Sequence, residues 1–198
     1  MTIKSALSPL RLVSDLLATT SNSMTLDTEP TDVAALMGNC LSSAEVRAEH
    51  AGIRLINEAE DDVWAEVDPL RIGQVLDNLL SNAIKYSPGG GTVTVGAWTA
   101  GGNVLLQVAD TGMGMDQADQ AGAFTKFFRG DSVRNTTIPG GGLGLLITKT
   151  IVDHHGGSID LESLPGVGTS FTITLPREVA AGTEYAAGPR GINHDRRS

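Results

Sequence analysis

The segment from Pro69 to Tyr86, "PLRIGQVLDNLLSNAIKY", constrains the fold more than any other. At about 100° per residue, Val75, Leu76, Leu79, Leu80, Ala83 and Ile84 line up as one continuous apolar face, so the segment is a helix packed on a core. Asn78, Asn82, Lys85 and Tyr86 fall on the adjoining stripe. Asparagine is a mediocre residue inside a helix. Two of them one turn apart, beside an amine and a phenol, imply that this stripe faces something polar. Asp68-Pro69 supplies a cap and a first-turn proline, and "SPGGG" after Tyr86 ends the helix.

The flanking text alternates between helix and strand patterns. "LSPLRLVSDLLATT" has a helical period with nothing before it to pair with, so it reads as half of a helical hairpin. A helix is expected from Thr31-Asp32 to about His50, followed by two short strands, "IRLIN" and "VWAEV". Beyond the Asn-rich helix come the strands "TVTVGAW" and "VLLQVAD", joined by "TAGG". From Thr111 to Gly142 the chain is rich in Gly, Asp, Gln and Thr, with "FTKFF" as its apolar anchor. A loop of that length in a compact domain is usually functional, which makes it a candidate lid. A helix over about Leu143–His155 and a closing hairpin, "GSIDLES" with "GTSFTITLP", follow. The expected organisation is a linker with the hairpin remnant over 1–29, one main domain over 30–176 and a flexible tail over 177–198.

Composition narrows the function. A net charge of −9 argues against a general polyanion-binding surface, so no nucleic-acid partner is expected, although a local cationic patch could hold a nucleotide. The single cysteine, Cys40, cannot form an internal disulfide, and no Cys/His cluster has zinc spacing. No apolar run approaches the roughly 18 residues of a membrane span, and the start lacks the apolar core of a signal peptide. A cytoplasmic location is expected, with no membrane contact by this segment.

Two glycine clusters carry chemistry. "DTGMGM" leaves the end of a strand, so the Asp110 carboxylate sits on rigid backbone where it can accept from an exocyclic amine such as that of adenine. Gly112 and Gly114 permit a tight turn and close approach of a ligand. "GGGLGL" opens a helix, and the unpaired amides of a helix start attract phosphate. The amide oxygen of Asn82 can complete the shell of a magnesium ion that keeps phosphate and water ligands. Lys85 can offset phosphate charge, and Tyr86 can pack beside a base.

In order and spacing, "QVLDNLLSNAIKYSP", "DTGMGM", "FTKFFRG" and "GGGLGLLITKTIVDHHGG" resemble the N, G1, F and G2 boxes of the ATP-binding domain of bacterial sensor histidine kinases, within the gyrase, Hsp90, histidine kinase and MutL superfamily. The resemblance spans roughly residues 30 to 176. It implies an α/β fold of the Bergerat type, a two-layer sandwich of a mixed, largely antiparallel sheet against helices, with ATP under a lid. It implies Asn82 as the Mg2+ ligand, Asp110 as the adenine-reading carboxylate, and Lys85 and Tyr86 as phosphate and base contacts. Gly112 and Gly114 would line the nucleotide, and Gly142, Leu143, Gly144 and Leu145 would form the phosphate-facing turn. Thr169 would be the hydroxyl that supports adenine recognition through water, and Arg129 would reach the terminal phosphate when the lid closes. Gly141, where the family often has a hydroxyl residue, and the small Ala121-Gly122-Ala123 suggest a looser lid.

Superfamily hydrolases carry a water-activating glutamate at the position of Asn78, whereas histidine kinases commonly have asparagine there. Without a carboxylate, Asn78 is a poor general base, and Asp77 lies about 100° around the helix and should not replace it. "SPLRLVSDLLATT" resembles the end of the second helix of the family's phosphoacceptor hairpin, while the first helix with its phosphoacceptor histidine has no counterpart. His154 and His155 are expected to serve a helix C-terminus, His50 the surface, and His194 in "HDRRS" to be a chance likeness. The expected activity is transfer of the ATP γ-phosphoryl group to a histidine outside this chain, in cis on a longer kinase or in trans, with a response regulator downstream and a monomeric state in isolation. The location would then be cytoplasmic, including as the cytoplasmic part of a membrane-bound sensor. The competing readings are a serine kinase of the anti-sigma-factor type, an ATPase of the gyrase or MutL type, and a nucleotide-binding interaction module.

Overall fold

The computed structural model describes residues 24–126, 128 and 142–177. Its elements are β1 (Glu29–Asp32), α1 (Val33–His50), β2 (Ile53–Asn57), β3 (Trp64–Val67), α2 (Pro69–Lys85), β4 (Gly91–Ala100), β5 (Asn103–Asp110), α3 (Gln117–Gly122), α4 (Gly144–His154), β6 (Ser158–Leu164) and β7 (Gly168–Pro176). The hairpin remnant before Met24, the tail beyond Arg177 with His194, and Arg129, Gly140 and Gly141 lie outside the described residues.

A five-stranded sheet in the order β2-β4-β5-β7-β6 forms one layer. Only the β2–β4 pair is parallel, and the other three pairings are antiparallel. Every second side chain of the central strands is buried: Val93, Val95 and Ala97 on β4, Val104, Leu106 and Val108 on β5, Phe171, Ile173 and Leu175 on β7. The register stacks them in rows, Val95 beside Val108 beside Phe171 and Ala97 beside Leu106 beside Ile173. That period-two face meets the apolar faces of α1, α2 and α4, which form the second layer. On α2 the buried residues are Ile72, Val75, Leu76, Leu79, Leu80 and Ala83, and Ile84 packs half-buried against the same core.

Three features differ from the sequence expectation. The helix expected from Thr31-Asp32 to about His50 is present with Asp32 as its cap, but the residues leading into it are a strand that the sequence did not suggest. Glu29–Asp32 pairs with β3, and α1 itself starts at Val33. The expected lid loop contains the short helix α3, capped by Asp116. The small residues before the F box are taken up by packing: Ala123 is buried, and a Cβ on Gly122 would overlap the ring of Phe128. Phe124 is anchored edge-on against Phe171 at 6.4 Å.

Cys40 is enclosed between α1 and α2, and burial, reinforced by the charge of Asp77, pushes its thiol up to about 12. Asp77 faces Arg47 and Cys40 on α1, away from the polar stripe, as its helical angle requires.

Candidate active site

Helix α2 serves as the ruler of the site. Its start is fixed by Asp68, whose Oδ1 accepts from the Arg71 amide at 3.0 Å, with Pro69 in the first turn. Asn78, Asn82, Lys85 and Tyr86 are all half-buried on one edge of the helix, flanked by fully buried Leu79, Leu80 and Ala83. From Asn78 to Tyr86 the helix rises about 12 Å. That length separates two clusters of different chemistry.

At the Tyr86 end the helix meets the ends of β5 and β7. The Met113 amide donates to the Tyr86 carbonyl at 3.0 Å, and a Cβ on Gly112 would overlap that same carbonyl, so only glycine lets the loop pass. Asp110 stands beside Thr169 in the β5–β7 register, and its Oδ1 accepts from the Gly112 amide at 2.8 Å. Burial pushes the Asp110 carboxyl above the ordinary carboxylate range, a rise restrained by the amides of Gly112 and Thr169. Thr169 is 9% exposed, with its hydroxyl 2.9 Å from that of Ser163. Ser163 Oγ also accepts from the Met115 amide at 2.8 Å, and Gln120 Nε2 donates to the carbonyls of Met115 and Ser163. Ser163 and Gln120 therefore tie the start of the lid to the Asp110–Thr169 pair, a role that no pattern in the sequence signals. Gly114, at φ +66°, packs against the β6–β7 turn and does not enter the cluster directly.

At the Asn78 end, α2 meets the start of α4. Asn78 Nδ2 donates to Thr148 Oγ1 at 2.9 Å. Gly142 makes the left-handed turn at φ +66°, and Leu143, at the cap position, gives no side-chain hydrogen bond to the helix. The first-turn amides of α4, from Gly144 and Leu145 on, thus have no side-chain acceptor among the described residues, and a helix start of this kind suits an anion. Gly144 is helical, and its missing side chain is explained by Asn78, whose Oδ1 a Cβ there would overlap. The resemblance put Gly142 and Gly144 together in one phosphate-facing turn; the left-handed residue is Gly142, and Gly144 is the first residue of the helix that follows.

Asn82 and Lys85 lie along α2 between the two clusters. The Asn82 side chain makes no hydrogen bond among the described residues. Lys85 Nζ donates to the Tyr86 hydroxyl at 2.7 Å and lies 4.2 Å from the ring centroid. No group of three or more His, Cys, Asp or Glu able to hold a metal occurs among the described residues. A separate open groove of about 500 Å³ between α1 and β2, lined by Gly38, Asn39, Glu45 and Leu55 among others, shares no residue with either cluster.

Comparison with known proteins identifies the arrangement. Residues 67–179, more than half of the chain, match the family described as histidine kinase-, DNA gyrase B- and HSP90-like ATPases. The chain belongs to this family. It is 37% identical over 150 residues to the sensor-like histidine kinase SenX3 of Mycobacterium tuberculosis, a match covering 76% of this chain and 37% of SenX3. The chain thus spans little more than a third of that relative. Among solved structures, full-length ShkA in complex with AMPPNP superposes with a TM-score of 0.74 at 28% identity, covering 84% of this chain and 35% of ShkA. The mycobacterial sensor histidine kinase MprB gives a TM-score of 0.67 at 30% identity, covering 75% of this chain and 97% of that one. The expected fold and family are both borne out: the chain carries the ATP-binding catalytic domain of these kinases.

Both histidines that end α4 in this kinase-family domain are structural. The Nδ1 atoms of His154 and His155 each pair at 2.8 Å with the carbonyl four residues back, Thr150 and Ile151. His155 Nε2 accepts from the Asp68 amide at 3.0 Å, which fixes the neutral tautomer with its proton on Nδ1 and ties the end of α4 to the start of α2. Burial lowers the His155 pKa below its ordinary 6.5. The unfolded chain therefore takes up this proton first. The stabilisation is complete well above pH 6.5 and is lost as pH falls through about 6.5 toward the lower folded-state value. Urea titrations at a series of pH values are expected to show a fall below pH 7 that His155→Ala flattens. At pH 8 the substitution is expected to cost about 1–3 kcal/mol, because it orphans the Asp68 amide.

Proposed function

We propose that the chain holds magnesium-bound ATP along α2, with adenine at Asp110 and Thr169 and the phosphates between Asn82, Lys85 and the start of α4, and delivers the γ-phosphoryl group to a histidine outside this chain. The observation that carries this reading is Asn78. It sits where the two phosphate-binding elements meet, it has no carboxylate to deprotonate water, and its amide nitrogen is already committed to Thr148. Water attack is therefore not assisted, and the phosphoryl group is kept for an acceptor imidazole.

The residues fit the groups assigned to them. Asn82 offers an amide oxygen with no competing partner among the described residues, and a single protein ligand suits an ion whose remaining ligands are phosphate and water. When bound, the ion neutralises phosphate charge and aligns the terminal group. Asp110 accepts from the adenine amine, Thr169 supports it through water, and Lys85 can turn from the Tyr86 hydroxyl to a phosphate oxygen. Arg129 remains a proposed contact to the terminal phosphate. In the transfer itself, the bond from γ-phosphorus to the bridging oxygen breaks, a bond to an imidazole nitrogen forms, and ADP leaves. The binding of AMPPNP by ShkA, of similar fold, supports the nucleotide assignment.

A histidine elsewhere as acceptor is supported by the described histidines. His154 and His155 are held by α4 carbonyls, whereas His50 is exposed at the end of α1 and is the described histidine that the labelling test must exclude. The acceptor hairpin, in cis in a longer chain or on a partner, and a response regulator after it complete the proposed pathway, with this domain on the cytoplasmic side. No helix among the described residues is long and apolar enough to cross a membrane. The test is incubation with magnesium and γ-labelled ATP. The expected result is bound ATP, no acid-labile, alkali-stable label on this chain alone, and such label on an added phosphoacceptor hairpin. Acid-stable label on a serine substrate would favour the anti-sigma-type kinase, and rapid release of phosphate would favour an ATPase.

A further inference from the structure

We propose that Thr148 is a positioning residue for the phosphate half of the site, acting through Asn78 to fix the first turn of α4 against α2. This inference rests on the cleft reading given above. Thr148 is 1% exposed, in the second turn of α4. A hydroxyl inside a helix commonly bonds back to the carbonyl four residues earlier, as Thr150 does to Leu146 at 2.9 Å. Thr148 instead receives the Asn78 amide from another helix at 2.9 Å.

The geometry makes this a two-point contact. Gly144 and Thr148 are one turn apart on one face of α4, and both meet the same α2 side chain, Thr148 at Asn78 Nδ2 and Gly144 at Asn78 Oδ1. Contact at two points sets the rotation of α4 as well as its distance. The first-turn amides of α4, which have no side-chain acceptor among the described residues, are thereby held at a fixed offset from Asn82, one turn beyond Asn78 on α2. Phosphates and their metal need both walls in register, since a displacement of about 1 Å is enough to spoil a preorganised site. The adenine end is built differently. Asp110 and Thr169 are set by the β5–β7 ladder and held by Gly112 and Ser163, none of which shares a hydrogen bond with the Thr148 side chain among the described residues. Loss of the Asn78–Thr148 bond should therefore damage phosphate binding and leave base binding intact.

Thr148→Val keeps the shape and removes the hydroxyl, whereas Thr148→Ser keeps the hydroxyl and removes a methyl. Calorimetric titration of the full chain with adenosine, magnesium-ADP and magnesium-ATP separates the two halves of the site. In Thr148→Val the affinities for ADP and ATP are expected to fall about five- to tenfold, with adenosine unchanged, and Thr148→Ser is expected to restore the wild-type ratio. Asn78→Leu, which removes the other partner, is expected to reproduce the phosphate-selective loss, and the double variant to add nothing further. It also serves as the test should Thr148→Val not fold. A packing role alone would lower the melting temperature without moving the ATP-to-adenosine ratio. An unmoved ratio in Thr148→Val, or in Asn78→Leu if that is the variant that folds, overturns the positioning role. A wild-type chain that binds no nucleotide, or binds ATP no better than adenosine, overturns the cleft reading together with it.

Discussion

Asn82→Ala is expected to weaken magnesium-dependent ATP binding by about 10- to 100-fold, the range seen when a metal site loses an organising group. The side chain is held in place by its helix. Leu79, Leu80 and Ala83 on either side are buried, so α2 cannot rotate to bring another residue into the position, and Asn78, one turn away, is occupied by Thr148. Alanine is the better helix former and Asn82 makes no hydrogen bond among the described residues, so the substitution should not weaken the fold. The loss is therefore readable as a loss of metal coordination. Dissociation constants for ATP measured with magnesium and with a chelator give the check. In the wild type the two values should differ widely, and in Asn82→Ala they should converge on the chelator value. A difference that survives the substitution would remove Asn82 from the metal shell.

The sequence made α2 and the central strands legible because their residues repeat at the period of the structure that buries them. Val75 to Ala83 recur at helical spacing, and Val93, Val95 and Ala97 alternate. β1 was illegible for the opposite reason. "EPTD" has no alternation and contains a proline, and it is a strand only because β3 pairs with it on an edge where Pro30 stands opposite Glu66. Six-residue α3 is too short to show a period within a polar run, although Asp116 at its cap could have suggested it.

Within the site, the motif residues were visible and the residues that orient them were not. Thr148 is 70 positions from Asn78, and Ser163 is 48 from the Met115 amide it receives, so each contact exists only after the chain has folded. Gly144 shows how one letter can serve two constraints. Glycine at a helix start reads as room for phosphate, whereas here the room is filled by a protein amide oxygen.

Asp110→Asn is expected to lower ATP affinity by about 100-fold and at the same time to raise the stability of the nucleotide-free protein. The affinity loss follows from replacing a charged acceptor by an amide that can present a donor to the adenine amine; hydrogen bonds to charged groups contribute up to about 3 kcal/mol. The stability gain follows from the direction of the pKa shift. Burial raises the Asp110 carboxyl above its unfolded value, so the folded state binds the proton more tightly than the unfolded chain does. Stability from this group is therefore greatest at acid pH and declines as pH rises through the folded value, leaving a buried charge that costs stability at neutrality. Asparagine removes that charge and can still accept from the Gly112 amide through its Oδ1; the weakened contact to the Thr169 amide is a smaller effect than the burial of the charge that it relieves. Thermal melts at pH 7.5 without nucleotide should place Asp110→Asn above the wild type, with the gap closing toward acid pH. Melts with saturating magnesium and ATP should reverse the order, because only the wild type gains from the ligand. A variant less stable than the wild type without nucleotide would mean that the carboxylate is held by the fold itself, and that its position owes nothing to the base it is proposed to read.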